Sequence, residues 1–473
     1  MTRMMPHTPD TAGPGHPSAP GIGLVGSVFT RHWLDARAVA LWTDEAVIRA
    51  WIEVEAALAQ AQADLGVIPA AAAAAIAGRL DASRLDMDRI ARDTAATLHP
   101  FVPVLRQMEE MCGPAAGGYL HWGATTQNIF DTGTAVLLMR SQRLLLDALD
   151  HVLPTLASLA LAHRTTLQAG RTHGRHALPI SFGFKLAGWL AELRRHRQRL
   201  VQAGEQACVA TMGGAVGTYA AMGGQGRAVQ DRVGLLLGLG SIDLPMRCSG
   251  DRVAEVVAVL ALFAATVEKI ALEVVFLQRD EVAEVSERFH YGKVGSSTMA
   301  QKRNPAHALN LVGMARLLRS RAPAATESMV RMDEGDSGAS NVLDVIMPEV
   351  AILGVSLASG LGRLIDGLEV DAGAMRRNLD ISRGLIMSEA VMMELGERIG
   401  RGQAHHLLYD AAVESVESGL ALAEVLASRP ECAGMDMTAL LDPARYLGEA
   451  SDCIEDEARK AGVGLGPATR AAE

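Results

Sequence analysis

Residues 295–305 read Gly-Ser-Ser-Thr-Met-Ala-Gln-Lys-Arg-Asn-Pro, and no other stretch of the chain concentrates so many groups that could do acid–base chemistry. Ser296 and Ser297 supply hydroxyls after a flexible glycine, and Lys302 supplies a fixed positive charge. Asn304 is a good helix N-cap and Pro305 suits a first helical position, so the spacing of Leu309, Val312 and Leu317 predicts a helix that starts there. Free N–H groups at a helix start, a lysine and two hydroxyls make an anion site with a potential base beside it. Composition alone is equally compatible with a Gly-Ser hinge and an ordinary cap.

Two further polar stretches precede it. Residues 123–132, Gly-Ala-Thr-Thr-Gln-Asn-Ile-Phe-Asp-Thr, place Thr125, Thr126 and Gln127 at a predicted helix start, where hydrogen-bond donors are unpaired. Simple threonine capping would explain that stretch if it stood alone. Residues 170–179 hold Arg171, Thr172, His173, Arg175 and His176, and two His with two Arg in six residues favour a site over a lone packed histidine. The glycine-rich residues 211–226 lack the strand, the phosphate-binding turn and the downstream acid of a dinucleotide fold, so close backbone approach or mobile loops is the better account.

The elements that must position these stretches are helical. Val47, Ile48, Trp51, Val54, Ala57, Leu58 and Ala61 recur at helical spacing until Gly66 and Pro69. The alanines from 70 begin another helix carried on by Ile76 and Leu80, and Val102, Leu105 and Met108 predict one that ends towards Gly113. A long helix is expected over 130–166, bent at Pro154, and another after residue 179 on Phe182, Leu186, Trp189, Leu190 and Leu193. Residues 251–287 read as one long buried helix, and 305–368 as two more interrupted by the acidic residues 332–337. Shorter helices over 382–400 and 403–420 point to a small terminal domain, with a late turn at 443–448.

Composition bounds the rest. The chain has 473 residues, enough for two or three domains, and is 49% apolar but only 4% aromatic. Its core must be built of Ala, Leu, Val and Met, which favours an all-α fold. A net charge of -10 argues against a nucleic-acid partner, and the apolar run from Val256 to Val267 is too short to span a membrane. Cys112, Cys208, Cys248, Cys432 and Cys453 show no paired ligand spacing, so neither a disulfide framework nor a metal site is indicated, and a cytoplasmic protein is expected. No cofactor is implied.

The order of residues 295–305 resembles the fumarase/aspartase signature GSSxMPxKxNP, and 123–132 and 170–179 are similar to the two other well-known regions of that superfamily. The likeness runs from about Val28 to the end. The stretches 51–58, 400–405 and 441–448 place it near the branch holding 3-carboxy-cis,cis-muconate cycloisomerase and adenylosuccinate lyase, the former being closer. The resemblance implies a three-domain helical protomer whose central long-helix bundle forms the core of a homotetramer, with each active site shared by three subunits. Here the domains would be 26–125, 126–370 and 371–473, after a disordered leader over 1–25.

It also implies β-elimination from a 2-substituted succinate, a small dicarboxylate, to fumarate through an aci-carboxylate. Ser296 would be the base, with Ser297 beside it; Lys302 and Asn304 would hold one carboxylate; Thr125, Thr126 and Gln127 the other. Thr172 and His173 would sit by the leaving group, His173 as general acid.

Several positions depart from the pattern. Ala300 replaces the motif's proline, Gln301 a frequent histidine, Asn128 the branch's usual aspartate, Arg175 a glutamine, and Leu309 a glutamate that in relatives orients the catalytic histidine. Without that glutamate His173 is a weaker acid, and Arg175 favours an anionic group nearby. Both departures fit a leaving group that departs as a stabilised anion, nitrite from nitrosuccinate being one instance. The cycloisomerase with its tricarboxylate substrate is the alternative; adenylosuccinate lyase and a non-catalytic structural relative rank lower.

Overall fold

The helical period of residues 44–64 folds as α1 (Asp44–Asp64), capped by the Thr43 hydroxyl, which accepts from the Ala46 N–H at 3.2 Å. Gly66 ends it in a left-handed conformation with φ of 72°. The structure, a computed structural model, describes residues 23–289 and 295–464; the expected leader lies outside the described residues up to position 22. The other principal helices are α2 (Ala70–Arg79), α3 (Phe101–Cys112), α4 (Thr126–Ala162), α5 (Phe182–Ala207), α6 (Asp251–Leu277), α7 (Ala306–Arg319), α8 (Ser337–Asp366), α9 (Ala372–Asp380), α10 (Ser388–Ile399) and α11 (Arg401–Ser418). The all-α expectation holds.

Three differences from the sequence reading matter. The helix expected over 251–287 stops at Leu277, and β3 (Val285–Glu287) follows, paired antiparallel with β4 (Leu368–Val370). Residues 170–179 are not an irregular lead-in to a helix. They form most of a hairpin of β1 (Leu167–Thr172) and β2 (Arg175–Ser181). Helix α4 starts at Thr126, earlier than the apolar period required, because polar Thr126, Gln127 and Asn128 form its first turn.

The chain divides into two compact units. One comprises residues 23–141, 204–254 and 324–352; the other 142–203, 255–323 and 353–464. In the first, Trp51 of α1 stacks on Phe130 of α4 with ring centroids 4.6 Å apart and meets Phe101 edge-on. Gly133 permits that approach, since a Cβ there would lie 2.8 Å from the Trp51 ring. In the second, α6 is buried along Val257, Phe263, Ala264, Val267, Ile270, Ala271 and Val274. Helices α4 and α8 are long and apolar enough to cross a membrane; both also carry buried core residues.

Candidate active site

Residues 295–305 form a closed loop held by several local bonds. Gly295 lies against the Lys302 carbonyl so tightly that a Cβ would overlap its oxygen. The Asn304 side-chain amide donates to the Gly295 carbonyl, and the Lys302 N–H donates to Met299 O at 3.1 Å. Within this loop the Ser296 hydroxyl oxygen accepts two backbone N–H groups, from Thr298 at 3.2 Å and Met299 at 3.0 Å. Two aligned donors stabilise negative charge on that oxygen. Ser297 and Lys302 are exposed.

Asn304 is therefore not the N-cap of α7. Pro305 holds that position, and a residue distant in sequence does the capping: the buried Glu287 carboxylate accepts from His307 N–H at 3.2 Å and Ala308 N–H at 2.8 Å. A carboxylate already engages the start of α7, so the anion site expected there reduces to Lys302 and the loop itself. Gln278 braces both segments, accepting from Glu287 N–H at 3.0 Å and donating to Arg303 O at 3.2 Å. Leu309 lies exposed near the start of α7.

His173 and Gly174 are the two turn residues of the hairpin, with φ of 53° and 75°, and Thr172 pairs with Arg175 across it. Positive φ at both positions matches the two-residue turn that suits strand twist. The tip carrying Thr172, His173 and Arg175 is exposed, while its root is fixed: Ala169 packs with Leu379, Ile386 and Met387. The Glu284 carboxylate beneath Arg171 is fully buried. Burial pushes Glu284 up, but bonds from Arg171, Asn378 and Gln168 outweigh it and hold the group below the usual carboxylate range.

Thr125, Thr126 and Gln127 lie in the first unit, whereas the hairpin and the serine loop belong to the second. The Asn128 side-chain oxygen accepts from Thr125 N–H at 3.1 Å and from Gly214 N–H at 3.0 Å, so it pins the helix start to the glycine-rich segment. Gln127 donates to Asp131 at 2.7 Å, and burial pushes that carboxyl up to about 6 against the pull of Gln127 and Arg331. Ahead of this turn, buried Glu55 accepts the His121 N–H at 2.9 Å and faces its ring at 2.6 Å, and Gln62 donates to Trp122 O. Glu55, Glu284 and Glu287 were missed as site supports. A signal existed for Glu55, which shares the apolar face of Trp51 and Leu58. Among the described residues no cluster of His, Cys, Asp and Glu is arranged to hold a metal.

The loop, the hairpin and the threonine turn all lie within the span of one family model, and a second matches the C-terminal region. The model described as Lyase matches residues 35–318, and that described as Adenylosuccinate lyase C-terminus matches 384–456. The chain belongs to the fumarase/aspartase superfamily. It is an enzyme of that superfamily, with the family's lyase chemistry. It is 37% identical over 432 residues to the N-acetyl-S-(2-succino)cysteine lyase of Dickeya dadantii, covering 90% of this chain and 95% of the relative. It is also 37% identical to the adenylosuccinate lyase of Methanothermobacter thermautotrophicus, over 88% of this chain and 94% of that one. The crystal structure of 3-carboxy-cis,cis-muconate lactonizing enzyme from Pseudomonas putida matches with a TM-score of 0.85 at 32% identity, over 92% of this chain and 99% of that one.

Proposed function

We propose that this superfamily lyase eliminates a stabilised anion from a 2-substituted succinate to give fumarate. The observation that carries the reading is the Ser296 hydroxyl oxygen, held under the N–H groups of Thr298 and Met299. As an alkoxide it would remove a proton from C3, next to a carboxylate, leaving the electron pair delocalised as an aci-carboxylate. The pair then forms the C2–C3 double bond while the C2 substituent leaves with its bonding electrons. Lys302 and Asn304 would hold one carboxylate, and Thr125, Thr126 and Gln127 the other. Thr172, His173 and Arg175 would face the leaving group, with Ser297 at the base.

The leaving-group class follows from two positions. Leu309 offers no carboxylate to support His173 as an acid, and Arg175 adds positive charge at the hairpin tip. A thiolate or nitrite leaves without needing a proton first, and the Dickeya relative's name specifies an S-succinated cysteine. We therefore place an S-(2-succinyl) thioether first and nitrosuccinate second. The match to the lactonizing enzyme keeps 3-carboxymuconate, turned over by cycloisomerisation, as an alternative. A cytoplasmic homotetramer that needs no cofactor and binds neither nucleic acid nor membrane is part of the same reading.

Fumarate absorbance, followed with N-acetyl-S-(2-succinyl)cysteine, nitrosuccinate, adenylosuccinate, aspartate and 3-carboxymuconate, tests the proposal. Fumarate and free thiol from the thioether, abolished in Ser296→Ala, are expected. Turnover of 3-carboxymuconate alone would make the enzyme a cycloisomerase and end the argument from Leu309.

A further inference from the structure

The buried Glu284 carboxylate receives four side-chain N–H donors from three residues on two segments. Arg171 of β1 grips it with both terminal nitrogens, at 2.5 Å to one oxygen and 3.1 Å to the other. Gln168 of β1 donates at 2.6 Å, and Asn378 of α9 at 2.7 Å while also donating to Val282 O. Arg171 is in addition stacked over Phe276 at the end of α6, 5.6 Å from the ring centroid. Such a two-pronged pair fixes direction as well as distance.

Stability alone does not explain this arrangement, because a buried ion pair is often no better than an apolar pair of the same volume. Nor does the hairpin depend on the pair for its existence, since Ala169 already anchors it in the cluster of Leu379, Ile386, Met387 and Ala390. What the pair adds lies further out. Arg171 is two residues from His173, beyond the irregularity in strand register between Ala169 and Arg171, where the ladder itself holds the strand least firmly. We infer that Glu284, acting through Arg171, is a positioning residue that sets the aim of the Thr172–His173 tip. The inference rests on the reading of His173 as a group beside the leaving substituent.

The test uses the full-length protein as wild type, Glu284→Gln, Glu284→Asp, His173→Ala and the charge-free double variant Arg171→Met with Glu284→Leu. The double variant guards against a fold lost to an unpaired buried arginine. It should melt within a few degrees of wild type, while kcat for fumarate release falls about 10–100-fold and KM changes little, the pattern of a misplaced reacting group. Glu284→Asp, which keeps the charge, should recover part of that loss. Amide exchange over 172–175 should accelerate at least several-fold in Glu284→Gln and in the double variant. Unchanged exchange at the tip, or a folded double variant with wild-type kcat, overturns the inference. If His173→Ala keeps the wild-type rate, or no succinate is turned over, the functional reading of His173 fails, and the exchange result still decides whether Glu284 holds the tip.

Discussion

The chemistry proposed here asks one serine to act as a base near neutral pH, and the residue-scale question is what makes that possible. Ser296 stands in a local loop whose backbone supplies two N–H groups to its hydroxyl oxygen, with Lys302 on the same short loop. Removing the hydroxyl should therefore cost catalysis far more than stability. Ser296→Ala is expected to lower kcat about 10²–10⁴-fold, the usual worth of a positioned base, with an almost unchanged melting temperature. A comparable loss of folding cooperativity would instead assign the hydroxyl to holding the loop together. Leu309 supplies the complementary test. It is 48% exposed, so Leu309→Glu should fold normally. If the leaving group departs as an anion, that variant should change the elimination rate little, and a large gain in kcat would show that an acid was missing.

At the scale of elements, α5 and α6 are joined by a polar contact with its own pH signature. His196 of α5 is buried and its ring lies 2.8 Å from the Thr266 hydroxyl, which in turn donates to Glu192 at 2.5 Å. Burial, with Arg199, Arg195 and Lys269 adding to it, pushes His196 down to about 4 from an ordinary 6.5, although Glu192 pulls the other way. The unfolded chain then binds the proton more readily than the folded one. Stability is full above pH 6.5 and drains as the pH falls towards 4, by about 3 kcal/mol if this group acted alone. Urea unfolding should show that slope in wild type and lose most of it in His196→Gln; an equal slope in both would place the acid sensitivity elsewhere. Helices such as α1, α2 and α5 were legible because their faces are written in local spacing: Trp51, Val54 and Leu58, then Phe182, Leu186 and Leu190. The hairpin was not read, although Thr-His-Gly-Arg holds an X-Gly pair of the kind that closes two-residue turns, because its strands do not alternate cleanly in polarity. The cap of α7 could not be read from neighbours at all, since Glu287 reaches it from twenty residues away.

At the scale of the whole molecule, each unit carries apolar side chains that it does not cover itself. Val342 and Val345 of α8 are 37% and 65% exposed in one, and Leu262 of α6 is 54% exposed in the other. Apolar side chains left uncovered on long helices are the surfaces that oligomers bury. Residues 297–303 of the serine loop and the His173 tip are likewise exposed on the isolated chain, as they must be if they complete sites on neighbouring copies. A shared site makes a sharp prediction. Ser296→Ala and His173→Ala should each be nearly inactive alone, yet a mixture unfolded and refolded together should regain activity, because some sites receive an intact serine from one subunit and an intact histidine from another. With random assembly from equal amounts, about a quarter of the sites are intact, so about a quarter of the wild-type rate is expected. If each site were built within one chain, the mixture would stay as inactive as its parts, and any association of copies would have no share in the chemistry.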